Sequence, residues 1–146
     1  MTTTASPPTA AQHTAALACD PCAPAVARRL VARWLGADDG PANRVRTTDA
    51  VLIVSELVTN AVRHTRGPCV LSLTARDELL DIAVADHSEE LPEVDRTRGG
   101  DERGGFGLEI VRRLGGRITV VPRLGGKTVH VLLDGAADPG GARSPR

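Results

Sequence analysis

The chain of 146 residues carries 18 basic and 18 acidic side chains, so it lacks the general positive field that holds proteins on nucleic acid. Its aromatic residues are Trp34 and Phe106 alone, too few to form a platform for stacked bases. The longest unbroken apolar run covers residues 50–54, whereas a membrane-spanning helix needs about 20 residues. No charged N-terminal segment precedes an apolar stretch, so no signal peptide is expected. Composition therefore predicts a cytoplasmic protein with neither nucleic-acid nor membrane partners.

The distribution of apolar residues divides the chain into three segments. Residues 1–14 are rich in Thr, Ala and Pro, and residues 134–146 are rich in Gly, Pro and charge. Neither can bury enough apolar surface to offset its ordering entropy, so both are predicted to be disordered tails. Residues 15–133 are predicted to form one folded unit with an aliphatic core, because hydrophobic residues make up 41% of the chain and are mostly Val, Leu and Ala.

The first half of the folded unit is predicted to hold a short strand and two helices. The strand covers residues 15–19, and the first helix begins near Pro24, where a first-turn proline is tolerated, and ends at Gly36. The second helix is expected to begin at an N-cap at residues 47–48, with Asp49 in its first turn, and to run to about residue 64.

The second half is predicted to contain two hairpins on either side of a short helix at residues 108–114. Apolar and polar residues alternate over four strands, at residues 70–75, 79–86, 118–121 and 128–133. Residues 87–105 form a long, charged, glycine-containing segment typical of a functional loop. This order predicts an α+β fold, a two-layer α/β sandwich with a mixed, mostly antiparallel sheet and helices on one face.

A polar stripe runs along the second predicted helix. Glu56, Asn60 and His64 recur every four residues and therefore share one face. A solvated face is the simplest interpretation, but Asn is a poor mid-helix residue and the stripe lacks the Lys–Glu pairs of such faces. A carboxylate one turn before an amide oxygen suits a base beside a Mg²⁺ ligand, because Mg²⁺ takes oxygen donors. His64 equally suits a helix C-terminus, where it offsets the dipole.

The same stretch carries a family motif. Residues 55–64, SELVTNAVRH, resemble the N-box of the GHKL (Bergerat-fold) ATPases, and most closely their RsbW-like, anti-sigma-factor serine/threonine kinase branch. Three further segments resemble family motifs in the same order: LDIAVAD at 80–86, GGFGLEIV at 104–111 and GGKTV at 125–129. The resemblance covers most of the folded unit, about residues 24–133. Each motif alone is weak evidence, but four in order are specific.

The resemblance implies ATP and Mg²⁺ as cofactors. It implies that Glu56 is the catalytic base and that Asn60 holds Mg²⁺. Asp86 would accept a hydrogen bond from the adenine amino group, since an ionised carboxylate is an acceptor only. The alternative for Asp86 is a strand-end residue that caps the next turn. The other nucleotide-binding residues implied by the resemblance are Arg103, Gly104, Gly105, Gly107, Leu108 and Thr128.

These implied residues have distinct expected tasks. The glycines bring backbone amides to the phosphates, and Arg103 belongs to a lid over them. Thr128 resembles the family's buried hydroxyl near the adenine, reached through a water. Lys127, the only lysine, stands beside it, and its role is open between a ligand contact and a plain hairpin turn. Ser88 replaces the glycine that the family usually has two residues after the aspartate.

The function implied by the resemblance is phosphoryl transfer from ATP to a Ser or Thr of an anti-anti-sigma (STAS) protein, by a homodimer that also binds a sigma factor. One alternative is a non-catalytic ATP-binding module that sequesters a regulator, against which the retained Glu56 argues. Another is the catalytic domain of a sensor histidine kinase, which is disfavoured because neither a membrane segment nor a phospho-acceptor helix pair precedes the motifs.

Three cysteines offer a further alternative. Cys19 and Cys22 form a C-x-x-C pair, and Cys69 is the third thiol. Four scattered histidines and one thiol do not supply a second ligand pair at zinc spacing. Incidental loop cysteines are therefore favoured over a zinc site or a redox dithiol.

Overall fold

The computed structural model describes residues 11–18, 20–36, 41–65, 67–76, 78–89 and 107–134. The elements in these ranges are β1 (Ala11–Leu17), α1 (Ala23–Leu35), α2 (Pro41–His64), β2 (Cys69–Arg76), β3 (Leu79–Asp86), α3 (Gly107–Arg113), β4 (Arg117–Arg123) and β5 (Gly126–Asp134). None of the helices in this part of the chain combines the length and the apolarity needed to cross a membrane.

The strands form one open sheet in the order β1-β2-β3-β5-β4. All four pairings between the described strands are antiparallel, so the predicted sheet is confirmed without the parallel pair that a mixed sheet would contain. The chain leaves β3, passes through α3 and β4, and returns as β5 directly beside β3. In this register Asp86, the last residue of β3, lies opposite Lys127 near the start of β5.

An aliphatic core lies between the sheet and the helices, as composition predicts. Alternate residues of β2, β3 and β5 point into it, because successive side chains of a strand face opposite sides of the sheet. The buried strand residues are Cys69, Leu71, Leu73, Leu80, Ile82, Val84, Val129, Val131 and Leu133. One face of α2 covers them with Ile53, Val54, Leu57, Val58 and Ala61. Burying each large aliphatic side chain stabilises the fold by roughly 1.5–3 kcal/mol, so the two layers hold each other in place.

Two predicted element boundaries are wrong. The helix α2 begins at Pro41, so residues 47–48 lie inside it and do not form its N-cap. A proline at the first helical position costs nothing because its missing N–H has no helical acceptor there, and this start signal overrides the N-cap preference of threonine. The edge strand β1 begins at Ala11, four residues before the expected start. Residues 11–14 gain backbone pairing with β2 despite their weak apolar pattern. Most of both predicted tails lies outside the described residues.

Because α2 begins early, Asp49 lies half-buried in its interior, and this burial raises the pKa of its carboxyl above the ordinary value of 3.8. Protonation is then easier in the folded than in the unfolded state. The contribution of Asp49 to the free energy of unfolding is therefore complete below pH 3.8. It is lost as the pH rises through the folded-state pKa of this carboxyl. We therefore expect Asp49→Asn to stabilise the protein at pH 7 and to lose this advantage as the pH falls towards 4.

Urea unfolding at pH 7 and pH 4 measures this difference. Glu78→Gln is the matched control, since Glu78 is exposed and its neutralisation should leave stability nearly unchanged at both pH values. An Asp49→Asn advantage of equal size at both pH values would contradict a titration effect.

Candidate functional site

A hollow lies between α2 and the adjoining ends of β3 and β5. Its lining consists of Leu57, Asn60, Ala61 and His64 from the helix and Val84, Asp86, Lys127 and Val129 from the strands. Its empty volume is about 300 Å³, part of it open to solvent. The space open to the centre of a water molecule is about 10 Å³, which is room for roughly one water. A larger ligand therefore requires the lining to move apart.

Only part of the polar stripe on α2 lines this hollow. Asn60 and His64 contribute to its lining, whereas Glu56 does not. Glu56 is half-buried and lies one helical turn before Asn60 on the same face. The amide of Asn60 therefore meets the same space as Asp86, with the carboxylate of Glu56 beyond it. An amide oxygen is a donor that suits Mg²⁺, which typically takes one or two protein ligands and completes its shell with water and phosphate oxygens.

A hydrogen bond within the following turn holds Asp86 at the end of its strand. This residue is 2% exposed, and its Oδ1 accepts a hydrogen bond from the Ser88 backbone N–H at 2.9 Å. This bond is the turn cap that the simpler interpretation of the residue expected. The cap does not remove Asp86 from the hollow, because its side chain also lies in the lining. Both interpretations of Asp86 therefore describe part of its environment.

Lys127 forms a buried ion pair with Asp86. Its Nζ lies 3.0 Å from Oδ2 and 3.1 Å from Oδ1 of Asp86, and 3.4 Å from the Ser88 carbonyl oxygen. Lys127 is only 3% exposed. The β3–β5 register puts the two residues opposite each other on the helix-facing side of the sheet. The charge on this wall of the hollow is thus neutralised by the chain itself.

Thr128 is a predicted site residue that lies on β5. It pairs with Ala85 and Val121, next to Lys127 in sequence, and so faces the side of the sheet away from the hollow. Its hydroxyl does not line the hollow, and Lys127 takes the position expected for it. Counting back by twos from the buried residues of β5 would have shown this from the sequence, since Val129 and Lys127 share a face.

Two hydrogen bonds connect the region of the β4–β5 turn with the end of β3 and the residues that follow it. Arg123 donates from Nη2 to the Asp86 carbonyl oxygen at 2.9 Å, and the Gly125 N–H donates to Glu89 Oε2 at 2.9 Å. Gly125 has a φ of 80°, which glycine adopts without strain. A Cβ at Gly126 would collide with the Asp86 carbonyl oxygen. The glycine pair therefore permits the close approach that places Lys127 on Asp86.

The predicted glycine box falls only partly within the structure. Gly107 is the first residue of α3, and Leu108 is 1% exposed and belongs to the hydrophobic core. The side chain of Leu108 therefore packs inside and does not line the hollow. Arg103, Gly104 and Gly105 lie outside the described residues, and their predicted contacts with phosphates remain predictions.

Neither Cys22 nor Cys69 lines the hollow. Cys22 has an exposed free thiol and Cys69 is buried, while Cys19 lies outside the described residues. Among the residues that the structure describes, no three His, Cys, Asp or Glu side chains are grouped to hold a metal ion.

Removing one member of the buried pair should leave an uncompensated charge in the core. We expect Lys127→Met to lower the free energy of unfolding by about 3 kcal/mol, and the double variant Asp86→Asn/Lys127→Met to recover most of that loss. Urea unfolding of wild type, both single variants and the double variant gives the coupling energy. Additive effects of the two substitutions would contradict the buried pair.

Comparison with known proteins identifies the fold. The family model described as the histidine kinase-like ATPase domain matches residues 17–132. Comparison with the curated proteins gives no significant match.

Two solved structures share the architecture. The RsbU and RsbW domains of Rv1364c from Mycobacterium tuberculosis are 19% identical with a TM-score of 0.60, over 85% of this chain and 32% of that one. The histidine kinase domain of the blue-light activated histidine kinase EL346 from Erythrobacter litoralis is 21% identical with a TM-score of 0.51, over 84% of this chain and 65% of that one. This chain therefore spans about a third of the first structure and under two thirds of the second. By the family model, this chain belongs to the histidine kinase-like ATPase domain family.

Proposed function

We propose that this chain is an ATP-binding regulatory protein serine/threonine kinase of the anti-sigma-factor type. The observation that carries the proposal is the hollow in which Asn60 and Asp86 meet, within a histidine kinase-like ATPase domain. The RsbW domain in one of the similar structures supports the choice of branch.

The base of the nucleotide is proposed to enter the hollow. Leu57, Ala61, Val84 and Val129 supply apolar walls for the faces of a purine ring. Asp86 supplies an acceptor for an amino group at the ring edge. Because the hollow has room for only about one water, the ring enters when α2 and the strand ends separate or the lining side chains rotate.

The phosphates are proposed to lie along the polar stripe of α2. The Asn60 amide oxygen would hold Mg²⁺, which when bound offsets the negative charge of the phosphate oxygens during transfer. The segment with Arg103, Gly104 and Gly105 is proposed to cover the phosphates, and Gly107 to contribute its backbone at the start of α3. These assignments extend the family resemblance to this chain.

Glu56 is proposed to act as the base. Its carboxylate takes the proton from the hydroxyl of an acceptor Ser or Thr as that oxygen bonds to the γ-phosphorus. The bond from the γ-phosphorus to the bridging oxygen breaks, and ADP leaves with the electron pair. The half-buried position of Glu56, one turn from Asn60, supports this role because it lies beside the proposed phosphate site without occupying it.

The partners follow from the proposed branch. The acceptor hydroxyl would belong to an anti-anti-sigma (STAS) protein, and a sigma factor would bind a homodimer of this chain in the cytoplasm. A non-catalytic ATP-binding module is the second candidate function. Both candidates bind ATP in the hollow, and a test of Glu56 separates the two.

Glu56→Gln should lower ATP turnover by at least about 100-fold, because the amide cannot accept the proton. The affinity for ATP should stay within about twofold, since the substitution preserves shape. Radiolabelled γ-phosphate release measures turnover and calorimetry measures affinity. Glu78→Gln, at an exposed carboxylate outside the hollow, is the control and should change neither quantity.

Equal turnover in Glu56→Gln and wild type would remove Glu56 from the base role. ATP binding without turnover in the wild type, with water or with an added STAS protein, would favour the non-catalytic module.

A further inference from the structure

The lysine in the hollow has no task in the function proposed so far. We propose that Lys127 is a second base-recognition residue, which donates a hydrogen bond to a purine ring nitrogen while Asp86 accepts one from the adjacent amino group. This inference rests on the proposed function, because it requires the base to occupy the hollow. It assigns the specificity of the site to an ion pair instead of to a carboxylate alone.

The ion pair is expected to persist when a base binds. Both partners are almost fully buried, at 2% and 3% exposure, and separating them would leave two charges without compensation in the protein interior. An amino group of a base is neutral and cannot replace the ammonium as a counter-charge. Displacement of Lys127 by a purine is therefore costlier than sharing the carboxylate with it.

Both members of the pair have hydrogen-bonding capacity left for a ligand. A carboxylate offers about four lone-pair positions, and the described contacts of Asp86 are one bond from the Ser88 N–H and two from Lys127. The Lys127 ammonium has three N–H groups. Two serve Asp86, and the third points to the Ser88 carbonyl oxygen at 3.4 Å, longer than the usual 2.7–3.2 Å. That third donor gains by turning to a better acceptor.

The backbone around the pair fixes where it presents these groups. Arg123 donates to the Asp86 carbonyl oxygen, and Gly126 leaves room for this close approach of the β4–β5 turn. Glu89 accepts from the Gly125 N–H across the same junction. The β3–β5 ladder sets Lys127 directly opposite Asp86. Groups held on paired strands recognise a ligand edge with little loss of conformational entropy.

The pair matches adenine through two neighbouring atoms. Adenine presents its 6-amino group as a donor and N1 as the adjacent acceptor, which correspond to Asp86 and Lys127. A carboxylate alone would read only the amino group. Recognition by the pair makes the affinity depend on N1 as well. This dependence distinguishes recognition by the ion pair from recognition by the carboxylate alone.

The experiment compares ATP with 1-deaza-ATP, which keeps the amino group and replaces N1 by C–H. Calorimetric titration in the presence of Mg²⁺ should show at least about tenfold weaker binding of 1-deaza-ATP to the wild type, as expected for losing a hydrogen bond to a charged group. The charge-balanced variant Asp86→Asn/Lys127→Met, which leaves no lone buried charge, should bind the two nucleotides with similar affinity. Thr119→Val, at an exposed position of β4 outside the hollow, is the control and should keep the tenfold preference.

Each other outcome overturns a specific claim. Equal affinities in the wild type would remove Lys127 from base recognition while leaving the proposed ATP function in place. A preference that survives in the double variant would assign N1 to another group and would also overturn the inference. A folded wild type that binds neither nucleotide would overturn the proposed function, and this inference with it.

Discussion

The buried ion pair between Asp86 and Lys127 is the interaction that determines what the hollow can hold. An isolated carboxylate on an apolar wall would be costly to bury, and the lysine at 3.0 Å offsets part of that cost. The pair exists only because β5 returns beside β3 in a register that sets the two residues opposite each other. Gly125 and Gly126 allow the turn to approach closely enough for that register. The sheet topology and the turn therefore determine which charged groups face the hollow.

Much of the fold was predictable because burial leaves a local periodic signal. Alternation identifies β2, β3 and β5, and helical spacing identifies α1 and most of α2, since each element buries one face. The start of α2 and the start of β1 were not predictable in the same way. Threonine at residues 47–48 is a good N-cap in isolation, but here the helix has already begun at Pro41. Residues 11–14 become a strand through pairing with β2, which no local pattern reports.

The candidate site, like the fold, was predictable only where the signal is local in the sequence. The stripe of Glu56, Asn60 and His64 is visible in the sequence because four-residue spacing defines a helical face. That Asn60 meets Asp86 depends on helix–sheet packing, and that Asp86 meets Lys127 depends on strand register; neither is local. Thr128 lies next to Lys127 on β5 but does not line the hollow, because in a strand a shift of one residue moves a side chain to the opposite face.

Contacts between bound nucleotide and the walls of the hollow test the central claim most directly. With ATP and Mg²⁺ added to isotopically labelled protein, intermolecular nuclear Overhauser effects should connect the adenine H2 and H8 protons with methyl groups of Leu57, Val84 and Val129. These three side chains line the hollow. Effects to Val121 instead, exposed on β4, would place the base elsewhere and contradict a nucleotide site between α2 and the ends of β3 and β5.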